Sequence, residues 1–205
     1  MNHELFTIGH STQSFQSFLL LLQKHEVQVI GDVRSGPYSK MFPHFNREAM
    51  KDQLQRHGIT YVFLGEEFGA RRKEPCCYID DRADYDLISK TERFQEGMTR
   101  LKRGSEKFKI ALMCAERDPL DCHRTILVSR HAKRFVPVRH IRINGDLETH
   151  SELEDRLLLK MGFDIHSDMF RSSEEELALA YQRRGIEIAF KREPTPPQGS
   201  AFHTR

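Results

Sequence analysis

Hydrophobic positions along the chain follow two rhythms. Short apolar runs, "LFTIG", "VQVIGDV", "ITYVFLG", "FKIALMC" and "VPVRHIRI", are rich in β-branched and aromatic residues and read as strands. Between them, apolar residues recur every three or four positions, as in helices. Phe15, Phe18, Leu19 and Leu22 share one face, with Ser11 or Thr12 ahead of them as N-cap. Asn46 caps a second helix, where Phe45 and Met50 stand as a hydrophobic staple and Gly58 stops the run. Asp84 opens a third, with Phe94, Met98 and Leu101 on one face and Gly104 at its end. Asp121 opens a fourth within "DCHRTILVSRHAKRF". Two capping boxes, Ser151 with Glu154 and Ser173 with Glu176, start helices that end near Gly162 and Gly185, and "IEIAF" reads as a last strand. "GPYSKMFPHF" and the stretch from Glu66 to about Arg82 read as loops.

Strand and helix alternate, which predicts an α/β fold: a Rossmann-like three-layer sandwich, mostly parallel sheet with helices on both faces. Residues 1–190 form one domain, and the Pro- and Gly-marked segment 191–205 is expected to be a disordered tail. In open sheets of this kind ligands bind outside the carboxyl ends of the strands. Gly9, His10, Ser11, Asp32, Arg34, Glu66, Cys114 and Glu116 all fall where a strand stops.

Composition narrows the function classes. The chain has 205 residues, 38% apolar and 30% charged, an ordinary globular balance. Net charge is only +2, so any grip on nucleic acid must come from a local patch. No apolar run nears the roughly 20 residues of a membrane helix and no leader pattern opens the chain, so a cytoplasmic protein without membrane contact is expected. Four cysteines are too few for a secreted disulfide framework.

The densest chemistry lies in "LMCAERDPLDCHR". Cys114 ends a strand two residues before Glu116 and is read as a nucleophile or a wall of the site. Cys122 is expected in a first helical turn, where the macrodipole, His123 and Arg124 favour a thiolate, against Asp121. An arginine in a first turn opposes the dipole, so Arg124 is expected to hold an anion or to bridge Asp32, Glu66 or Glu116. The phosphatase spacing of Cys, five residues and Arg fails, because Leu120 stands six positions after Cys114, and there is no Cys-x-x-Cys. For zinc, Cys114, Cys122 and His123 could supply three ligands and His10 a fourth, but the paired spacings of structural zinc sites are missing, and no metal site is expected. "GHST" offers an anion cradle at Gly9 and Ser11, with His10 as acid or base; the full dinucleotide fingerprint is absent, and no cofactor is named by any motif. Tyr38, Phe42 and Phe45 interleave with Lys40 and Arg47, a mixture that grips a nucleobase or merely pins a loop. Arg71 and Arg72 add further positive charge.

"FTIGHST", "DVRSGPYSKMFPHFN", "YVFLGEEFGARR", "LMCAERDPLDCHR" and "HIRING" together resemble the domain of unknown function 488 family, in its expected order over residues 5 to 146. The resemblance implies an α/β architecture and a shared site, without a reaction. Glu67 and Phe68 depart from the more usual glycine- and leucine-containing stretch of that family. The expectation is an enzyme acting on a nucleotide, a modified base or nucleic acid in a cleft at the strand ends. His10, Asp32, Cys114 and Glu116 would supply its chemistry; Gly9, Ser11, Arg34, Glu66, Arg71, Arg72, Cys122, His123 and Arg124 would bind. A non-catalytic nucleic-acid-binding or regulatory module and a thiol or metal sensor are the rival readings. Oligomeric state is left open.

Overall fold

The computed structural model describes residues 4–163 and 173–193. The first half of the chain runs β1 (Leu5–Gly9), α1 (Phe15–Lys24), β2 (Val29–Asp32), α2 (Arg47–Arg56), β3 (Thr60–Phe63) and the short α3 (Gly65–Phe68). A small hairpin, β4 (Tyr78–Ile79) and β5 (Arg82–Ala83), precedes α4 (Tyr85–Ser89) and α5 (Glu92–Ser105). After β6 (Ile110–Cys114) a π-helical stretch, Arg124–Ser129, passes into α6 (Arg130–Ala132). β7 (Val138–Ile141), β8 (Leu147–Thr149), α7 (His150–Lys160) and α8 (Ser173–Ile188) complete it.

Six strands form one sheet in the order β3-β2-β6-β1-β7-β8, parallel except for the β7–β8 pair. The fold is an α/β three-layer sandwich of the Rossmann-like kind. Alternation along β6 shows why: Ile110, Leu112 and Cys114 enter one core while Ala111 and Met113 enter the other. The first core takes Phe94, Met98 and Leu101 of α5, together with Ile126, Leu127 and Val128. The second takes Phe18, Leu19 and Leu22 of α1 and Met50 and Leu54 of α2. So α1 and α2 leave β1 and β2 on one face, whereas the helix after β6 leaves on the other. Because β6 lies between β1 and β2, crevices open on both sides of its tip.

Gly9 is level with Cys114, and Asp32 is level with Met113 and Phe63. The predicted strand ends therefore share one edge.

Several local expectations are corrected. Ser14, not Ser11 or Thr12, caps α1, accepting from Ser17 N at 3.1 Å. Asn46 stands at the start of α2, but its amide oxygen accepts from Ser39 N at 2.6 Å instead of capping the helix. The helix expected from Asp84 is two, capped by Asp84 and Thr91. The box at α7 is Thr149 with Glu152, not Ser151 with Glu154. "IEIAF" is no strand: Ile186 to Ile188 end α8, which runs straight through Gly185. There a Cβ would make an ordinary contact 3.4 Å from Tyr85, so the glycine is compatible with the helix and does not end it.

The expected tail begins with residues that are bonded: Arg192 N donates to Asp81 O at 2.7 Å, and its guanidinium lies 3.5 Å from the Tyr78 ring centroid. The rest of that tail, 194–205, lies outside the described residues, as do residues 164–172 between α7 and α8.

Candidate functional site

Around the β6 tip, two adjoining cavities share Arg34, Gly36, Tyr38, Ala115 and Glu116. One, of about 310 Å³, reaches Cys114, His123, Tyr85 and Arg71; the other, of about 490 Å³, reaches His10, Ser11, Phe42 and Arg117. Together they make one cleft along the carboxyl edge of the sheet.

Its floor is built by the segment after β6. Asp118 accepts from Leu120 N at 2.9 Å and is clamped by both terminal nitrogens of Arg156, at 2.9 and 3.0 Å, which fixes the turn Pro119–Asp121. That turn ends on Cys122 in an extended conformation, φ −138° and ψ 138°. Cys122 O then accepts the first helical bonds, from Thr125 and Ile126, and its Sγ accepts from Arg124 N at 3.4 Å. Cys122 thus sits at the N-cap position, and the cap expected at Asp121 is one residue early.

Four groups meet here. His123 Nδ1 is 3.9 Å from Cys114 Sγ and 3.9 Å from Cys122 Sγ, while its Nε2 donates to Val33 O at 2.9 Å. Glu116 Oε2 lies 2.9 Å from Cys122 Sγ. Burial alone would raise the Cys122 thiol; a hydrogen bond from Cys114, the Arg124 guanidinium and His123 instead hold it well below the ordinary cysteine value. Burial and the neighbouring Cys122 push Cys114 far up, so it keeps its proton. Burial raises Glu116, reinforced by the charge of Cys122. Burial would lower His123, but its bond to the Cys122 sulfur and that sulfur's negative charge raise it. Two sulfurs, an imidazole and a carboxyl group thus share one buried corner, and the charge of each depends on the others.

Beneath the other half of the cleft, Asp32 is fully buried. Its carboxylate accepts from Arg34 Nε at 2.9 Å, Arg34 Nη2 at 2.6 Å, Arg34 N at 3.1 Å and the Tyr61 hydroxyl at 2.7 Å. Arg34 Nη2 also donates to Phe45 O at 2.8 Å, and Nη1 donates to His10 Nε2 at 3.3 Å. A guanidinium can only donate, so His10 carries its proton on Nδ1, which bonds Ser11 O at 2.9 Å. The ring stacks on Phe45 at 4.3 Å. Desolvation lowers His10 to about 4, and it is neutral near pH 7.

A family model described as "Domain of unknown function DUF488" matches residues 14–131. The chain belongs to the DUF488 family. No curated protein and no solved structure gave a match to it. The matched span holds the cleft's Arg34, Arg71, Cys114, Glu116 and His123 but ends before β7, and it begins after His10.

In this DUF488 protein the sequence-predicted residues divide into three sets. Arg34, Arg71, Cys114, Glu116 and His123 line the first cavity, and His10 and Ser11 the second. Asp32, Cys122 and Arg124 are buried just behind the cleft. Arg124, expected to face an anion, is 1% exposed, and Nη1 donates to Glu116 O at 2.8 Å; its guanidinium braces the loop, since none of the carboxylates expected to bridge it is a partner. Gly9 and Ser11 form no anion cradle. A Cβ on Gly9 would fall 2.0 Å from Glu116 O, and the N–H groups of His10 and Ser11 already bond Cys114 O and Ala115 O. Glu66 points away, 3.8 Å from Arg93. Arg72 is buried and donates to Glu66 O at 2.6 Å. Tyr61, Tyr85 and Arg117 were missed. Arg117 stood inside the reactive segment and had a signal; the two tyrosines had none.

One pH dependence arises from the buried imidazoles. Thr7, His140, His150 and Tyr181 form a hydrogen-bonded chain with steps of 2.8, 3.0 and 3.0 Å, and desolvation lowers His150 to about 4, like His10. An unfolded imidazole takes its proton near 6.5, so between about 6.5 and 4 the unfolded chain binds more protons than the folded one. The stability contribution is complete above 6.5 and declines as pH falls, by about 1.4 kcal/mol per unit for each histidine. Thermal melts at pH 7 and pH 5 are expected to show a clear drop at pH 5. Equal melting temperatures would mean that these rings are not held neutral.

Proposed function

We propose that this DUF488 protein is an enzyme acting on an anionic substrate, a nucleotide, modified base or nucleic acid, bound in the cleft at the strand ends. One observation carries the reading: unpaired cations, an exposed aromatic ring and the reactive corner face the same space. Arg71 and Arg117 are exposed on the cleft, and no carboxylate pairs with either among the described residues. Exposed guanidinium groups without a carboxylate partner suit a phosphate, which they hold through paired N–H donors; Arg71 lies over the Phe190 ring at 4.9 Å, which leaves its N–H edge free for such a ligand. Tyr38, 75% exposed, lies between them along the cleft and offers a face on which a base can stack. Glu116, raised by burial, is the proton carrier next to Cys114, Cys122 and His123.

Thermal-shift and direct binding measurements with mononucleotides, single-stranded oligonucleotides and inorganic phosphate test this. Nucleotides or oligonucleotides are expected to stabilise the protein. The Arg71→Ala/Arg117→Ala variant should lose about 1.5–3 kcal/mol of that binding for each charged hydrogen bond removed. Tyr38→Ala should weaken base-containing ligands by about 1–3 kcal/mol and leave phosphate untouched. A protein that none of these anions stabilises is not what we propose.

A further inference from the structure

We infer that Cys114, Cys122 and His123 form a zinc-type metal site, with three protein ligands and a fourth position open to the cleft. The two Sγ atoms and Nδ1 all lie within 4.8 Å of one another. Tetrahedral zinc, with bonds of about 2.3 Å to sulfur and about 2.0–2.1 Å to nitrogen, separates such ligand atoms by about 3.6 Å. The observed 3.9 Å from Nδ1 to each sulfur needs only a few tenths of an ångström of closure.

Orientation is the second support. A backbone carbonyl can only accept, so the bond to Val33 O fixes the Nε2–H. A neutral His123 ring therefore turns its bare Nδ1 toward the two sulfurs. Metal-bound histidines are held this way, by a carbonyl or carboxylate on the far nitrogen.

Charge is the third. Arg124 is buried, and among the described residues only backbone carbonyls, Glu116 O and Arg117 O, meet its side-chain N–H groups and its Nε has no partner. A dication together with that guanidinium balances two thiolates and the Glu116 carboxylate. The cage is closed on the core side, since both cysteines are buried; it is open where Cys114, His123 and Glu116 line the cavity. Three protein ligands and an open position make the catalytic form of a zinc site, unlike the closed structural form. This explains why the paired spacings of structural sites are missing from the sequence.

The proposed enzyme reading then acquires a reaction class, which rests on that reading whereas metal binding does not. A water at the open position adds to an electrophilic carbon or phosphorus of the substrate. Its proton passes to Glu116 and from there to the departing group, a hydrolysis that needs no further reactant.

Cobalt substitution of the full-length, reduced protein decides it. Titration of chelator-treated protein with Co²⁺ is expected to give strong tetrahedral visible bands and a sulfur-to-cobalt charge-transfer band, saturating at one equivalent and displaced by zinc. Zinc should also stay bound at one equivalent when the unaltered, reduced protein is desalted, a readout that no folding defect can confuse. Cys114→Ser, Cys122→Ser and His123→Ala should each abolish the bands. Cys76→Ser and Glu116→Gln should keep them. Absence of the charge-transfer band, or zinc lost entirely on desalting, overturns the site. Bands that survive in Cys122→Ser place the metal elsewhere and overturn it too. Metal binding without any response to nucleotides, oligonucleotides or phosphate would leave this site standing and remove the anionic-substrate reading; the reverse pattern would do the opposite.

Discussion

Asp32→Ala is expected to cost about 3–5 kcal/mol, the range for removing one partner of a buried ion pair. The loss has a definite origin. Arg34 stays buried with its cation facing a cavity, and the Tyr61 hydroxyl loses its acceptor. For a chain of this length each kcal/mol moves the melting temperature by about 2–4 °C, so a fall of roughly 6–20 °C should appear in a thermal melt. Tyr61→Phe deletes one of the hydrogen bonds to the carboxylate and should cost clearly less. If the two variants melt together, the Asp32–Arg34 pair does not carry the loop between β2 and α2.

Arg124→Ala is expected to be comparably damaging, about 3–5 kcal/mol, the range for emptying a large buried site. Arg124 is among the largest fully buried side chains, and Glu116 O loses its 2.8 Å donor when it goes. Reversible urea unfolding of the variant measures this directly. A surface anion-binding arginine would behave differently, leaving stability near that of the unaltered protein while affinity for phosphate fell. Observing that second pattern would restore Arg124 to the cleft. Arg71→Ala is the internal comparison, because Arg71 is exposed.

How far the site was legible depends on the residue. Cys114 and Glu116 were readable because an apolar run stops there, and parallel sheets put ligands at that end. The distances from His123 to the two sulfurs were not, because they depend on Cys122 adopting an extended backbone before the helix starts. Arg124 carried an overlooked signal: "TILVS", directly after it, has no polar stripe, and a helix apolar all round is buried all round. All six residues of Arg124–Ser129 are indeed buried.

The capping boxes show a finer limit. Thr149 with Glu152 and Ser151 with Glu154 fit the pattern equally well. What decides between them is the three-residue strand Leu147–Thr149, too short to leave a periodic trace. "IEIAF" failed for another reason: its β-branched alternation is a local preference, overridden as α8, anchored in the core by Ala180 and Tyr181, runs on to Ile188.

The π-helical stretch has a consequence for chain length. An α-helix advances 100° per residue, so its two ends keep a fixed phase, like gears on one shaft. The wider π turn takes up one extra residue and resets that phase. It lets His123 and Arg124 address Val33 and Glu116 at one end while Ala132 stays turned into the core at the other. Deleting a single residue between Thr125 and Val128 would restore ordinary winding and leave the two ends in phase. The same deletion in a uniform α-helix would swing its ends about 100° out of step. Within this stretch the chain can shorten by one residue while the imidazole and guanidinium keep their neighbours.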